Sequence, residues 1–225
     1  MEILECRNIT KVFDADEAAI TALSDVSMSV GAGEFVAIVG RSGSGKSTLL
    51  NILGMLDKPT EGEVLFDGQS VSKMSEKEKS LLRNTSFGYV FQSFFLEPEY
   101  TVYENVEMPL VIAGVKPAER GQRAKELIEI VGLSERMNQK TKKLSGGEKQ
   151  RTCIARALAC NPSIVLADEP CGNLDTANSA EIMKLFREIT ERGSAVLMVT
   201  HSEEDAAKAD RILYMKDGSI SNEKQ

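Results

Sequence analysis

One histidine, four cysteines and six prolines occur among 225 residues, and no apolar run approaches the roughly 18 residues of a membrane-spanning helix. Cys6, Cys153, Cys160 and Cys171 show no metal-ligand spacing, so they read as scattered thiols of a reducing compartment. A basic excess is also missing. Lys and Arg number 27 against 34 Asp and Glu, and the net charge of -7 argues against nucleic acid as a partner. Anionic lipid would repel the same surface, so membrane contact is expected to run through a protein partner. The opening MEILECRNIT lacks the basic start and apolar centre of a signal peptide, and the expected location is cytoplasmic. Long linkers, repeats and low-complexity tracts are absent. What remains is 42% hydrophobic and 27% charged, the balance of one large globular domain or of a core carrying a subdomain.

Short β-branched runs alternate with helical patterns. VSMSV (26–30), FVAIV (35–39), EVLF (63–66), FGYVF (87–91), SIVLA (163–167), AVLMVT (195–200) and RILYM (211–215) read as strands. FVAIV and SIVLA are apolar at successive positions, as strands covered on both faces should be. Helices are expected over Lys46–Met55, Ala177–Arg192 and a short stretch after His201, giving an α/β fold with a parallel sheet. Residues 93–160 carry helix patterns over Pro117–Val131 and Gly146–Ala159 and no convincing strand. They read as a helical insertion between two parts of a core, 1–92 and 161–225.

GRSGSGKST (40–48) follows FVAIV directly. It fits G-x-x-x-x-G-K-[ST], a loop whose backbone N–H groups cradle phosphates at a helix start. Gly40, Arg41, Ser42, Gly43, Ser44, Gly45, Lys46, Ser47 and Thr48 are the candidate ATP-binding residues. Lys46 is placed for the β and γ phosphates and Ser47 for Mg²⁺. A plain Gly/Ser turn would need neither the lysine nor three glycines that cost backbone entropy.

SIVLADEP ends a strand with Asp168 and Glu169. Neighbours on a strand point oppositely, so Asp168 can support the metal while Glu169 polarises water. Charged pairs at strand exits are also common on any surface. The pair gains weight only beside the phosphate loop.

LSGGEKQR (144–151) starts a helix with the S-x-x-E capping pattern of Ser145 and Glu148. Capping leaves Gly146 and Gly147 unexplained, because each costs up to about 1 kcal/mol against Ala in a helix. Bare N–H groups there form a second anion-facing surface, with Ser145, Gly146 and Gly147 as its members. One triphosphate satisfies both surfaces if two copies of the chain share their sites.

These segments in this order resemble an ATP-binding cassette ATPase, the motor of ABC transporters. GRSGSGKST matches its phosphate loop, Phe91–Gln92 its Q-loop, LSGGEKQR its signature, IVLADEP its second nucleotide motif, NLD (173–175) its D-loop, and Thr200–His201 its switch histidine. The resemblance implies a P-loop core with a mainly parallel sheet, an N-terminal antiparallel β subdomain and an inserted α-helical subdomain. It further implies a head-to-tail homodimer with ATP and Mg²⁺ between phosphate loop and partner signature. Gln92 would sense the metal and the water, His201 would contact the γ-phosphate, and Phe13 would stack on adenine where the family usually has tyrosine. The acidic run Asp14, Asp16, Glu17 surrounds Phe13, and Cys171 stands where the subgroup usually has threonine.

DKPTEGEV, FGYVFQ and TVYENVEMPL look most like the group of the macrolide exporter MacB, the lipoprotein-releasing LolD and peptide-antibiotic export or resistance ATPases. The cell-division ATPase FtsE is a near relative. A permease of FtsX or MacB type would then be the partner, holding the chain on the cytoplasmic membrane face. Soluble ABC ATPases of DNA repair or translation form the alternative class. They usually carry a long coiled-coil insertion or two cassettes, and neither is present. Phe87, Tyr89 and Phe91 alternate like core positions of a strand. Phe94, Phe95, Leu96 and Tyr100 suit either a small core or the rim of a partner groove, and the resemblance favours the groove.

Overall fold

A computed structural model describes residues 1–15 and 18–223. Two sheets organise it. Strands β1 (Glu2–Ala15), β2 (Ala18–Gly31), β4 (Glu61–Phe66) and β5 (Gln69–Ser70) form an antiparallel sheet in the order β2-β1-β4-β5. The second sheet runs β10-β9-β3-β8-β7-β6, comprising β3 (Phe35–Gly40), β6 (Phe87–Phe91), β7 (Ile164–Asp168), β8 (Ala195–Thr200), β9 (Arg211–Lys216) and β10 (Ser219–Ser221). Five of its strands are parallel, and β10 closes one edge antiparallel to β9.

Seven helices accompany these strands among the described residues: α1 (Lys46–Leu53), α2 (Glu76–Thr85), α3 (Val102–Ile112), α4 (Pro117–Ile130), α5 (Gly146–Ala157), α6 (Thr176–Glu191) and α7 (Glu203–Ala206). Each expected strand and helix overlaps one of these elements; the 163–167 strand starts one residue early, and the helices expected over Lys46–Met55, Pro117–Val131, Gly146–Ala159 and Ala177–Arg192 run one or two residues past the observed ends. β1, β5, β10, α2 and α3 have no counterpart among the strand and helix patterns read from the residues, although the resemblance implied the antiparallel subdomain to which β1 belongs, and the 26–30 run is only the end of β2.

The continuous apolar character of β3, β7 and β8 has a direct cause. Phe35, Ala37, Val165, Ala167, Val196 and Met198 face a core shared with α3, α4, α5 and α6. Their neighbours Val36, Ile38, Ile164, Leu166, Leu197 and Val199 face a second core with α1 and the antiparallel sheet. Alternate side chains thus serve opposite faces of one buried sheet. Phe35 and Phe186 meet edge to face at 6.0 Å in the first core.

In β1 the alternation shifts phase. Leu4 and Cys6 point inward, the register then slips, Asn8 takes φ 51°, and Ile9 returns to the core. This bulge keeps three apolar residues buried across a strand that also carries Glu5 and Arg7.

Parallel pairing aligns the carboxyl ends of four strands. Phe91 lies opposite Asp168, Asp168 opposite Val199, and Val39 opposite Thr200. The residues that follow β3, β6, β7 and β8 therefore emerge together along one edge, where open α/β sheets bind ligands.

Candidate functional site

The loop from Gly40 to Gly45 turns from β3 into α1. Gly45 takes φ 103°, a left-handed conformation that favours glycine. At Gly40 the constraint is space, since a Cβ there would lie 2.3 Å from the Met215 carbonyl oxygen. Lys46, buried at the start of α1, donates from Nζ to the carbonyls of Gly40 at 2.8 Å and Arg41 at 3.0 Å. The lysine is thereby folded over the loop it follows.

Arg41, Ser42, Gly43, Gly45, Lys46, Ser47 and Thr48 line a cleft of about 640 Å³ together with Ala22, Gln92, Asp168, Glu169 and His201. Gly40 and Ser44 face an adjoining cavity toward β9 and β10. Ser44 Oγ is buried without a hydrogen-bond partner.

Asp168 and Glu169 meet different partners within the cleft. Asp168 Oδ1 accepts a bond from Ser47 Oγ at 3.0 Å. Burial pushes the Asp168 carboxyl up; the Ser47 bond opposes this, and the charge of Glu169 adds to it. Glu169 takes φ 45°, which turns the chain sharply at the end of β7. Its Oε2 lies 2.8 Å from His201 Nδ1 and accepts the His201 backbone N–H at 3.3 Å, while Oε1 lies 3.9 Å from Lys46 Nζ. His201 precedes the Ser202 cap of α7, whose side chain accepts from Asp205 N–H.

Gln92 reaches the cleft from the end of β6 and is tied to the segment after Glu169. Its carbonyl accepts from Asn173 Nδ2 at 3.2 Å, and its side chain lies against Gly172. Cys171 contacts the Ser179 carbonyl at 3.9 Å. Burial first, and then the charges of Asp205 and Glu169, push its thiol up to about 12, so it stays protonated and inert.

Ser145, Gly146 and Gly147 stand outside this cleft lining, at the start of α5. Ser145 caps the helix in a reciprocal box with Glu148. Gly147 is buried in its own chain, where a Cβ would meet Asn178 Oδ1 at 2.0 Å. No residue pattern signals this packing requirement, since it depends on how α6 approaches α5. Phe13 is likewise outside the cleft lining. Its ring is 43% exposed on the β1–β2 hairpin, with Lys11 Nζ 4.8 Å from the centroid. Of the acidic run beside it, Asp16 and Glu17 lie outside the described residues.

The donor set fits nucleotide and divalent cation. The glycine-rich loop and the Lys46 ammonium line the cleft with donors suited to phosphate oxygens. Among the described residues no group of three His, Cys, Asp or Glu is built as a metal site. The Ser47 hydroxyl and Asp168 carboxylate instead suit Mg²⁺, which keeps waters and phosphate oxygens as ligands.

Comparison with known proteins agrees with this geometry. The family model described as ABC transporter matches residues 23–172. An uncharacterized ABC transporter ATP-binding protein of Thermotoga maritima is 48% identical over 219 residues, spanning 97% of this chain and 94% of its own length. The ATP-binding cassette MJ0796, solved as a dimer in a post-hydrolysis state with ADP and Pi, matches with a TM-score of 0.91 at 43% identity, covering 99% of this chain and 98% of that one. The structure of cbiO1 from Clostridium perfringens, part of the ABC transporter complex cbiONQ, matches at 0.87 and 29% identity, covering 98% and 87%. Motifs, topology and these likenesses converge: the chain belongs to the ABC transporter family, as one of its ATP-hydrolysing ATP-binding cassettes.

Proposed function

We propose that this cassette drives an export or mechanotransmission system of the MacB/LolD type, as a head-to-tail homodimer docked on an integral membrane permease. The observation that carries the shared site is spatial. Lys46, Ser47, Gln92, Asp168, Glu169 and His201 meet in one cleft, whereas Ser145–Gly147 lies outside it. A second copy would bring its signature to this cleft. The dimeric state of the MJ0796 cassette supports the same arrangement. The MacB/LolD assignment rests on the sequence resemblance.

In this reading Arg41–Thr48 hold the triphosphate through backbone N–H groups, and Lys46 exchanges its two carbonyl bonds for phosphate oxygens. Ser47 and Asp168, with Gln92, would hold Mg²⁺, which supplies neutralising charge at the β and γ phosphates. His201 occupies Glu169 Oε2. Oε1 remains to take a proton from water as the water oxygen attacks the γ-phosphorus and the bond to ADP breaks. His201 Nε2 then remains available to the γ-phosphate. Phe13 lies on the hairpin that would flank the adenine. The helical stretch 93–160 acts as the signature subdomain within the 1–92 and 161–225 core. Phe95 and Tyr100, 67% and 45% exposed, offer apolar surface beside the Q-loop where a permease helix would seat. The permease places the chain on the cytoplasmic membrane face; no nucleic acid is involved.

Lys46→Ala disables the cradle and Ser145→Arg the signature. Each homodimer should lose ATPase activity, and a mixture should regain it, because one heterodimer site then has neither defect. A crosslink between cysteines placed at 42 and 145 should join two chains in the presence of ATP. A crosslink confined to single chains would refute the shared site.

A further inference from the structure

The bare second glycine of the signature has a cause inside its own chain. An added Cβ at Gly147 would lie 2.0 Å from Asn178 Oδ1 and 2.5 Å from its Cγ, whereas at Gly146 the nearest atom is Leu174 Cδ2 at an ordinary 3.5 Å. The two glycines of one motif therefore differ. Gly146 leaves room for a methyl group within its chain, and Gly147 leaves none.

Asn178 cannot easily swing aside. Its backbone N–H donates to Asp175 Oδ1 at 2.8 Å and its Nδ2 to Asp175 Oδ2 at 2.9 Å, which fixes the amide in the first turn of α6. Oδ1 faces α5, where Arg151 Nη1 approaches at 3.4 Å; the same Nη1 donates to Glu181 Oε2 at 2.5 Å. Gly147 and Arg151 are one turn apart on α5, as Asn178 and Glu181 are on α6, so the two helix starts interlock over a full turn. At its other end the connecting segment reaches the cleft. Gly172 N–H donates to the Glu169 carbonyl at 3.0 Å, and Asn173 Nδ2 donates to the Gln92 carbonyl.

We infer that Asn178 is a positioning residue for ATP hydrolysis: seated on the bare Cα of Gly147, its amide fixes where the signature turn stands relative to Glu169 and Gln92 of the same chain. This rests on the shared-site reading, in which that signature turn serves the partner's ATP. Asn178 touches no substrate in it. The inference assigns Gly147 a role separate from phosphate approach: it accommodates Asn178.

Steady-state ATPase kinetics and thermal melting of four variants test this. Gly147→Ala should lower kcat by about a hundredfold, and adding Asn178→Ala should bring the double variant back to the level of Asn178→Ala alone, because the second change removes the atoms the methyl group strikes. Asn178→Ala alone should lower kcat by about three- to tenfold with the ATP KM within about twofold, since its own cleft is intact. A role confined to packing would instead lower the melting temperature and leave kcat at permissive temperature unchanged. A double variant no more active than Gly147→Ala, or an Asn178→Ala enzyme with unaltered kcat, overturns the inference. Ser145→Arg separates this from the parent reading: full activity there refutes the shared site itself, whereas an inactive Ser145→Arg beside a failed rescue refutes only the role of Asn178.

Discussion

Replacing Glu169 by glutamine should separate ATP binding from hydrolysis, and the structure sets the size of each effect. Glutamine has the same shape, and its side-chain oxygen can still accept from His201, now placed against the Glu169 Oε2. The fold of the cleft should therefore persist. The variant lacks a base at the position of Oε1, and loss of a general base costs about 10²- to 10⁴-fold in rate. It also removes one negative charge from a cleft that receives a triphosphate. Two unit charges roughly 8 Å apart repel by about 0.5–2 kcal/mol at an effective dielectric between 80 and 20. ATP should consequently bind about two- to thirtyfold more tightly while turnover nearly stops, and the protein should accumulate as an ATP-bound dimer. Titration calorimetry with Mg·ATP, single-turnover phosphate release and size-exclusion chromatography measure the three quantities. Hydrolysis within tenfold of the unmodified protein would remove Glu169 from the base role, and weaker ATP binding would refute the electrostatic argument.

Phe13→Ala should weaken ATP binding by about 1–3 kcal/mol if the ring stacks on adenine, while Phe13→Tyr should keep it; unchanged affinity in the alanine variant places adenine elsewhere. A second expectation concerns acid stability. Glu34 accepts from Arg211 Nε at 2.7 Å, Arg211 Nη2 at 3.2 Å and Gly31 N–H at 2.7 Å, tying β9 to the turn between β2 and β3. Burial pushes its carboxyl up, but the Arg211 bond, the Gly31 N–H and the Arg211 charge outweigh this and hold it below its ordinary value of 4.5. A depressed folded value means stability that is present above the unfolded value and lost as pH falls through the folded one. Glu34→Gln should therefore melt about 2–4 °C lower at neutral pH, for roughly 1 kcal/mol, and the deficit should shrink as pH falls below the ordinary carboxylate value. A deficit independent of pH would show that the charge is not its source.

Which parts of this architecture could be read from residues follows from where each signal resides. FVAIV and SIVLA announced β3 and β7 because burial on both faces writes an unbroken apolar run. The phosphate loop was legible because its constraints are local: a tight turn, a helix start and a lysine. β1 was not, because Glu2, Glu5, Arg7, Asn8 and Lys11 dilute its apolar positions and its bulge breaks the period. α2 buries no residue, so hydrophobic periodicity had nothing to report. Its Ser75–Glu78 capping box, like Thr101–Glu104 before α3, was the signal available. In α3, β-branched residues and Pro109 obscured the helix. The seating of Gly147 on Asn178 lies between residues 31 positions apart and needs the approach of two helices to exist at all.

Helix α5 has a fixed point near each end. At its start Gly147 and Arg151 are held by α6. Near its finish Arg156 donates from Nη1 to the Phe95 carbonyl at 2.5 Å and from Nη2 to the Phe94 carbonyl at 2.9 Å. Phe94 and Phe95 both stand in the left-handed region, at φ 62° and 47°, a turn that costs about 1–3 kcal/mol per residue and persists only while its surroundings hold it. From Arg156 back to Ser145 is about 16 Å of helix at 1.5 Å per residue. Α tilt of about 5° at the aromatic turn would move the signature serine by about 1.4 Å, half the length of a hydrogen bond. Held at both ends, α5 can make such a tilt only by carrying the first turn of α6 with it, so a small displacement at the Q-loop end reaches the α6 start as well as the signature.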